Sequence, residues 1–286
     1  MFSRRPVVLR LAAAAGALAL LASCAAPSAT DPSKNADGGW RLSWSDEFGG
    51  AEGTPPDPAR WVHDVGGEPQ WGNEEWQYYT ERPSNAALDG RGHLSLTARR
   101  ERLPGMADCA YGTCDITSAR LTTKGLFAQR YGRFEARIKV PQGSATLPAF
   151  WMMGADDDTN SWPANGEIDV MEVVGGEPAT VHGTLHGPGY ADEGAGGHEE
   201  LTGGEILADG FHTYGVEWTG KQVTWTLDGR AYHRERPRPG RSWVFDHEFY
   251  LLLNLAVGGV WPGPVTDETT LPARMSVDWV RVYSRT

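Results

Sequence analysis

The sequence predicts an all-β fold, a two-sheet antiparallel β-sandwich, and three observations predict it. Short runs with period-two alternation or β-branched and aromatic enrichment recur along the chain, Gly, Pro, Asn and Asp separate them, and long amphipathic helical patterns are missing. Many short strands of this kind pack as a jelly roll around one core.

The chain opens with "MFSRRPVVLRLAAAAGALALLASC", a basic head (Arg4, Arg5, Arg10), an apolar core too short to span a bilayer, and a small-residue site. Residues 1–23 read as a lipoprotein signal peptide. Leu21, Ala22, Ser23 and Cys24 look like a bacterial lipobox, which implies lipid on Cys24, cleavage before it, and an exported, membrane-anchored protein at the cell surface or in the extracytoplasmic space. A soluble secreted form is the alternative. Residues 24–39, small, polar and Pro-containing, read as a flexible tether, and residues 40–286 as one domain. The roughly 260 residues left after the leader can enclose a substantial core, and with no repeat, heptad pattern or second apolar span a monomer is expected.

Within that domain "HLSLTA" is the first clear strand. "GRFEARIKV" alternates cleanly, with Phe134, Ala136, Ile138 and Val140 on one face and Arg133, Glu135, Arg137 and Lys139 on the other, as a half-buried strand does. "ATVHGTLHG", "HTYGVEW", "VTWTLDG", "FYLLLNLAV" and "MSVDWVRVY" follow in the same style, and "TLDGRAY" reads as a hairpin turning at Asp228 and Gly229. Setting Cys24 aside for lipid leaves Cys109 and Cys114, with four residues between them in a Gly-containing loop, and a disulfide is expected between them.

The formal charge is −11 at pH 7, and loss of the three leader arginines makes it more negative still. Such a surface repels polyanions and argues against a nucleic-acid partner. Twelve tryptophans is a high count for this length, and several sit in Gly- and Asn-rich contexts. Trp225 and Trp279 alternate within strands and are expected in the core. Trp71, Trp76, Trp151, Trp162 and Trp261 are the candidates for a binding surface, because broad aromatic faces stack on the C–H faces of sugars. An acidic, aromatic-rich, exported β-sandwich points to neutral polysaccharide.

"ANGEIDVMEVVGG" holds three acids, Glu167, Asp169 and Glu172. In a regular strand Glu167 and Asp169 share a face while Glu172, five positions from Glu167, points the other way. A β-bulge between Asp169 and Glu172 would return Glu172 to the common face. Glycoside hydrolysis needs two carboxyl groups facing one glycosidic bond, and mutual repulsion in such a cluster keeps one member protonated near neutral pH. An isolated pattern of this length reads as a solvated acidic face; Gly166, Trp162 and the downstream "TLHGPGY" favour a site.

These segments, together with "WSDEF", "WGNEEWQYYT", "SARLTTKGLFAQRYGRFEARIKVPQG", "LPAFWMMG", "WPANGEIDVMEVVG", "FYLLLNLAVGG" and "VDWVRVY", resemble glycoside hydrolase family 16, and most of all its laminarinase-type endo-β-1,3-glucanases. The resemblance runs from Trp40 to Tyr283. It implies a concanavalin A-like β-jelly roll with a concave cleft and retaining, endo-acting hydrolysis of β-1,3-glucosidic bonds by double displacement, with no organic cofactor. Glu167 would be the nucleophile, Glu172 the acid/base and Asp169 the assisting carboxylate. Asn73, Glu74, Trp151 and Trp162 match glucan-binding positions, His186 a position lining the cleft, and Trp261 joins them from the aromatic reading. Arg120 is placed at the cleft with a salt bridge as its alternative, and His182 is divided between the cleft and a structural role. The resemblance further implies a structural calcium held by Glu47, Asp278 and a carbonyl near Gly90. Two departures stand out, Val260 where relatives often carry Asn, and the Cys109–Cys114 loop. A noncatalytic glucan-binding lectin or sensor, cleavage of mixed-linkage glucan or galactan, and transglycosylation stay open as alternatives.

Overall fold

The computed structural model describes residues 39–286 apart from 68, 70, 107 and 110; the expected leader, Cys24 and the tether up to residue 38 lie outside the described residues. Every regular element among the described residues is a strand. In chain order these are β1 (Trp40–Asp46), β2 (Val62–Asp64), β3 (Tyr78–Tyr79), β4 (Ala86–Leu88), β5 (Leu94–Arg100), β6 (Ile116–Ser118), β7 (Arg120–Thr122), β8 (Gly132–Lys139) and β9 (Thr146–Gly154). β10 (Glu167–Glu172), β11 (Thr180–His186), β12 (Ala195–Glu200), β13 (His212–Thr219), β14 (Gln222–Leu227), β15 (Arg230–Glu235), β16 (Phe249–Val257) and β17 (Ala273–Arg285) follow.

One sheet runs β15-β14-β13-β8-β17-β5-β6-β3, with β1 on β17 and β4 on β5; the other runs β12-β11-β10-β9-β16-β7-β2. Pairing is antiparallel as expected except that β3 runs parallel to β6, because β4 and β5 intervene and return the chain in the same direction. The alternation of β8 appears as read: Phe134, Ala136 and Ile138 are fully buried while the charged residues between them stay partly exposed. β16 is buried on both faces. Leu251, Leu253 and Leu255 join the inter-sheet core, whereas Tyr250 and Leu252 form a second small cluster with Ala149 and Trp151 on the opposite face.

The hairpin between β14 and β15 turns where expected. Asp228 (φ 51°) and Gly229 (φ 77°) are both left-handed, the backbone that a two-residue hairpin turn demands. Trp225 is fully buried, but Trp279 is not, lying half-exposed beneath the Arg281 guanidinium at 4.2 Å from the ring centre. The register of β17 against β8 shifts between Val277 and Trp279, so Asp278 is an extra residue and the inward-outward alternation reverses beyond it.

The corresponding feature of β10 positions the site. Against β9, Asp169 opposes Trp151 and Met171 opposes Phe150; against β11, Asp169 opposes Thr184 and Glu172 opposes His182. Val170 and Met171 therefore face the single residue Gly183, and both side chains enter the core. The bulge brings Glu167, Asp169 and Glu172 to one face. It also turns the Asp169 carbonyl toward the core, where the indole N–H of Trp225, from the other sheet, donates to it at 2.7 Å. Gly183 makes room for that indole, since a Cβ there would lie 2.2 Å from Trp225 Cδ1.

Trp225→Phe deletes this donor and leaves a buried carbonyl unpaired, which is expected to cost about 1–3 kcal/mol. Urea unfolding of the variant measures it, and unchanged stability would remove the indole from this role.

Candidate active site

The bulged strand lays its acids along an open cleft of about 540 Å³ across the β12-to-β2 sheet, lined among others by Trp71, Asn73, Arg120, Trp151, His186 and Trp261. Asp169, 2 % exposed, sits at the floor between Glu167 and Glu172. His186, directly opposite Glu167 on β11, brings its Nε2 within 3.1 Å of Asp169 Oδ2, while its Nδ1 donates to the Ala191 carbonyl at 2.5 Å. One ligating atom from each of Glu167, Asp169 and His186 falls within 4.8 Å of the others. Trp162 donates its indole N–H to Glu167 Oε2 at 2.6 Å.

This packing sets the protonation of the cluster. Burial and then the charge of Asp169 push the Glu167 carboxyl up to about 8, against the opposing pull of the His186 cation and the Trp162 N–H. Glu172 is pushed well above the usual carboxylate range by burial and by the charges of Asp169 and Glu167. Burial alone would discharge His186, but its contact with Asp169 and the charge of Glu167 lift it to about 10. Near neutral pH the histidine is a cation and Glu172 holds a proton, while Glu167, pushed up to about 8, is ionised only in part, and that ionised fraction is the one able to act as a nucleophile.

Arg120 reaches the cleft and also forms its salt bridge. Its Nε bonds Asp64 at 2.9 Å while the guanidinium lies 4.7 Å from the Trp71 ring centre and 4.8 Å from that of Trp151. It thus spaces two aromatic faces. His182 lines the cleft, bonded to Glu177 at 3.2 Å and edge-on to Trp261. Trp162 and Trp261 remain 46 % and 41 % exposed, as stacking surfaces must be.

Glu74 is a correction. Asn73 and Glu74 both adopt left-handed backbone (φ 60° and 53°), which leaves Glu74 exposed and outside the cleft lining and delivers Glu75 instead. Glu75 ends a buried relay in which Trp151 Nε1 donates to Asn254 Oδ1 (2.7 Å), Asn254 Nδ2 to Tyr79 Oη (3.1 Å), and Tyr79 Oη to Glu75 (3.0 Å). Burial and the adjacent Glu75 charge raise the Tyr79 phenol well above its ordinary value, so it stays a donor. Sequence reasoning missed Glu75 and Asn254, though a lone Asn inside the apolar run "LLLNLAV" was a visible signal. Trp76 is the other misplaced residue, packed behind the cleft wall against Gly258.

Cys109 and Cys114 are joined by a disulfide with Cα atoms 5.2 Å apart. The residues expected for calcium are engaged otherwise: Arg281 bonds Glu47 at 2.9 and 2.7 Å, and Arg137 bonds Asp278 at 2.5 Å. Each carboxylate thus has a guanidinium partner, whose charge opposes a second cation at the same oxygens.

Comparison with known proteins agrees with this geometry. The family model for glycosyl hydrolases family 16 matches residues 73–281. A beta-glucanase of Rhodothermus marinus is 41 % identical over 260 residues, covering 85 % of this chain and 85 % of the relative. The X-ray structure of an endo-beta-1,3-glucanase from Pyrococcus furiosus superposes with a TM-score of 0.80 at 42 % identity, over 88 % of this chain and 97 % of that one. The laminarinase catalytic domain of Thermotoga maritima gives 0.79 at 41 % identity, over 86 % and 99 %. With a bulged acidic strand, an aromatic-lined cleft and a family match over most of its length, the chain belongs to glycosyl hydrolase family 16.

Proposed function

We propose that this chain is a retaining, endo-acting glycoside hydrolase that cleaves β-1,3-glucosidic bonds in laminarin-like glucans. The observation that carries the reading is the single cleft face holding Glu167, Asp169 and Glu172, with burial and mutual charge raising both glutamates. The names of the similar proteins, a beta-glucanase, an endo-beta-1,3-glucanase and a laminarinase, favour β-1,3-glucan as the substrate.

In the first step ionised Glu167 attacks the anomeric carbon while Glu172 gives its proton to the glycosidic oxygen; the C–O bond breaks and the leaving chain departs as an alcohol. In the second, Glu172, now a carboxylate, takes a proton from water as that water attacks the same carbon and frees Glu167. Asp169 holds the His186 cation beside Glu167, and that cation together with the Trp162 N–H favours the ionised nucleophile. Trp71, Trp151 and Trp261 in the cleft lining, and the exposed Trp162 beside Glu167, offer faces for glucose rings, Asn73 a polar contact, and Arg120 fixes the spacing of two of those faces. The two glutamates supply nucleophile and proton, so the reaction asks for no organic cofactor. The open cleft suits internal bonds of a neutral chain, and its acidic lining disfavours anionic polymers.

The same proposal takes the protein to be an exported lipoprotein, monomeric, anchored through lipid on Cys24. The basic head, apolar core and lipobox of the leader support it, as does the bridge between Cys109 and Cys114.

Reducing-end release is expected from laminarin in preference to mixed-linkage glucan, agarose and carrageenan; binding without release from any of them would favour a lectin. Glu167→Ser is expected to lower kcat by roughly 10³-fold or more without loss of folding, and substantial residual turnover would sink the assigned nucleophile. Asp169 raises both glutamates, so Asp169→Asn is expected to move both limbs of the kcat/KM pH profile toward acid, and an alkaline shift would contradict the electrostatic account. Cys24→Ser should transfer activity from the membrane fraction to the soluble fraction.

A further inference from the structure

The disulfide loop carries an aromatic residue that the reaction does not use. We propose that Tyr111, stacked on Trp76, forms an outlying platform that binds a further β-glucosyl unit of a chain already lying in the cleft; this rests on the glucanase reading above. The cleft sheet ends at β2, and Trp71 and Asn73, which follow that strand in the chain, line the cleft, with Trp71 Nε1 donating to the Gly66 carbonyl at 2.9 Å. The disulfide packs directly beside Gly67, where a Cβ would lie 3.2 Å from Cys109 Sγ. A glucan leaving the cleft past Trp71 and Asn73 therefore meets the loop.

Trp76 is fixed from two sides. Its backbone N–H donates to the Val257 carbonyl at 2.9 Å, and its indole lies on Gly258, where a Cβ would come within 2.6 Å of Cγ. The next residues, Gly259 and Val260, approach Asn73, whose carbonyl accepts from Val260 N at 2.9 Å, so the stack abuts the cleft wall itself. On the outer side Tyr111 lies 4.4 Å from Trp76, ring centre to ring centre and 22° from parallel, and its hydroxyl donates to the Trp76 carbonyl. One face of the tyrosine is thus covered and its hydroxyl is engaged, yet 36 % of the residue is exposed. Trp76 covers one face of this uncharged ring, so the opposite face is the one offered to a ligand.

The chemistry of such a face selects the ligand. A pyranose ring presents axial C–H groups that stack on it, and a tyrosine already held by stacking, a hydrogen bond and a short disulfide loop loses little freedom on binding. Among the described residues Tyr111 belongs neither to the inter-sheet core nor to the lining shared with the catalytic acids.

The test measures kcat/KM on laminari-oligosaccharides of increasing length for the unaltered chain, Tyr111→Ala and Tyr111→Phe. The unaltered chain should gain a step at the length that reaches the loop; Tyr111→Ala should lose that step, roughly two- to tenfold, while turnover of shorter substrates stays as it was. Tyr111→Phe, which keeps the ring, should keep the step. An unchanged length profile in Tyr111→Ala, or an equal loss at every length, would overturn the platform and leave the glucanase reading standing. No turnover of any laminari-oligosaccharide by the unaltered chain would overturn both.

Discussion

The arrangement of the site depends on one irregularity, the extra residue between Asp169 and Glu172 in the bulged strand. Without it, alternation would send one glutamate into the cleft and the other into an apolar core, where an unpaired carboxylate is costly. The bulge is held from the core side. Val170 and Met171 both pack inward, Gly183 leaves space opposite them, and the Trp225 indole satisfies the carbonyl that the broken ladder leaves over. The two sheets are thus tied together at the residue that stands between the two glutamates, and the catalytic face inherits the rigidity of the core.

Rigidity alone would not make the acids useful. Three carboxyls in one buried row cannot all ionise, and the cluster answers with a single cation, His186, placed beside Asp169 and Glu167 rather than farther along at Glu172. The consequence is a polarised row: the end near His186 and Trp162 favours the anion, and the Glu172 end favours the proton. Around it, Arg120 and the relay from Glu75 to Trp151 fix aromatic faces whose positions determine how a glucan chain lies across that row.

Much of this was legible in the sequence, and the exceptions share a cause. Alternation identified β8 and the hairpin at Asp228–Gly229, and the odd spacing of the three acids announced the bulge, because parity is a local property that charge pattern exposes. Trp279 and Glu74 were misplaced by departures from parity that carry no such mark: an extra residue at Asp278 and two left-handed residues at Asn73 and Glu74. The calcium expectation rested on the positions of two carboxylates alone. Glu47 and Asp278 lie where carboxylates were foreseen, but Arg281 and Arg137 reach them, and such partners are set by sheet packing rather than by neighbouring sequence.

The central claim is that Glu167 and Glu172 face one glycosidic bond closely enough for the first to act as nucleophile. Proton NMR of the first product released from a laminari-oligosaccharide, recorded before mutarotation, tests it most directly. The account predicts the β-anomer at the new reducing end. Initial release of the α-anomer would mean that water attacks directly between two more widely spaced carboxyls, and would contradict the assignment of Glu167.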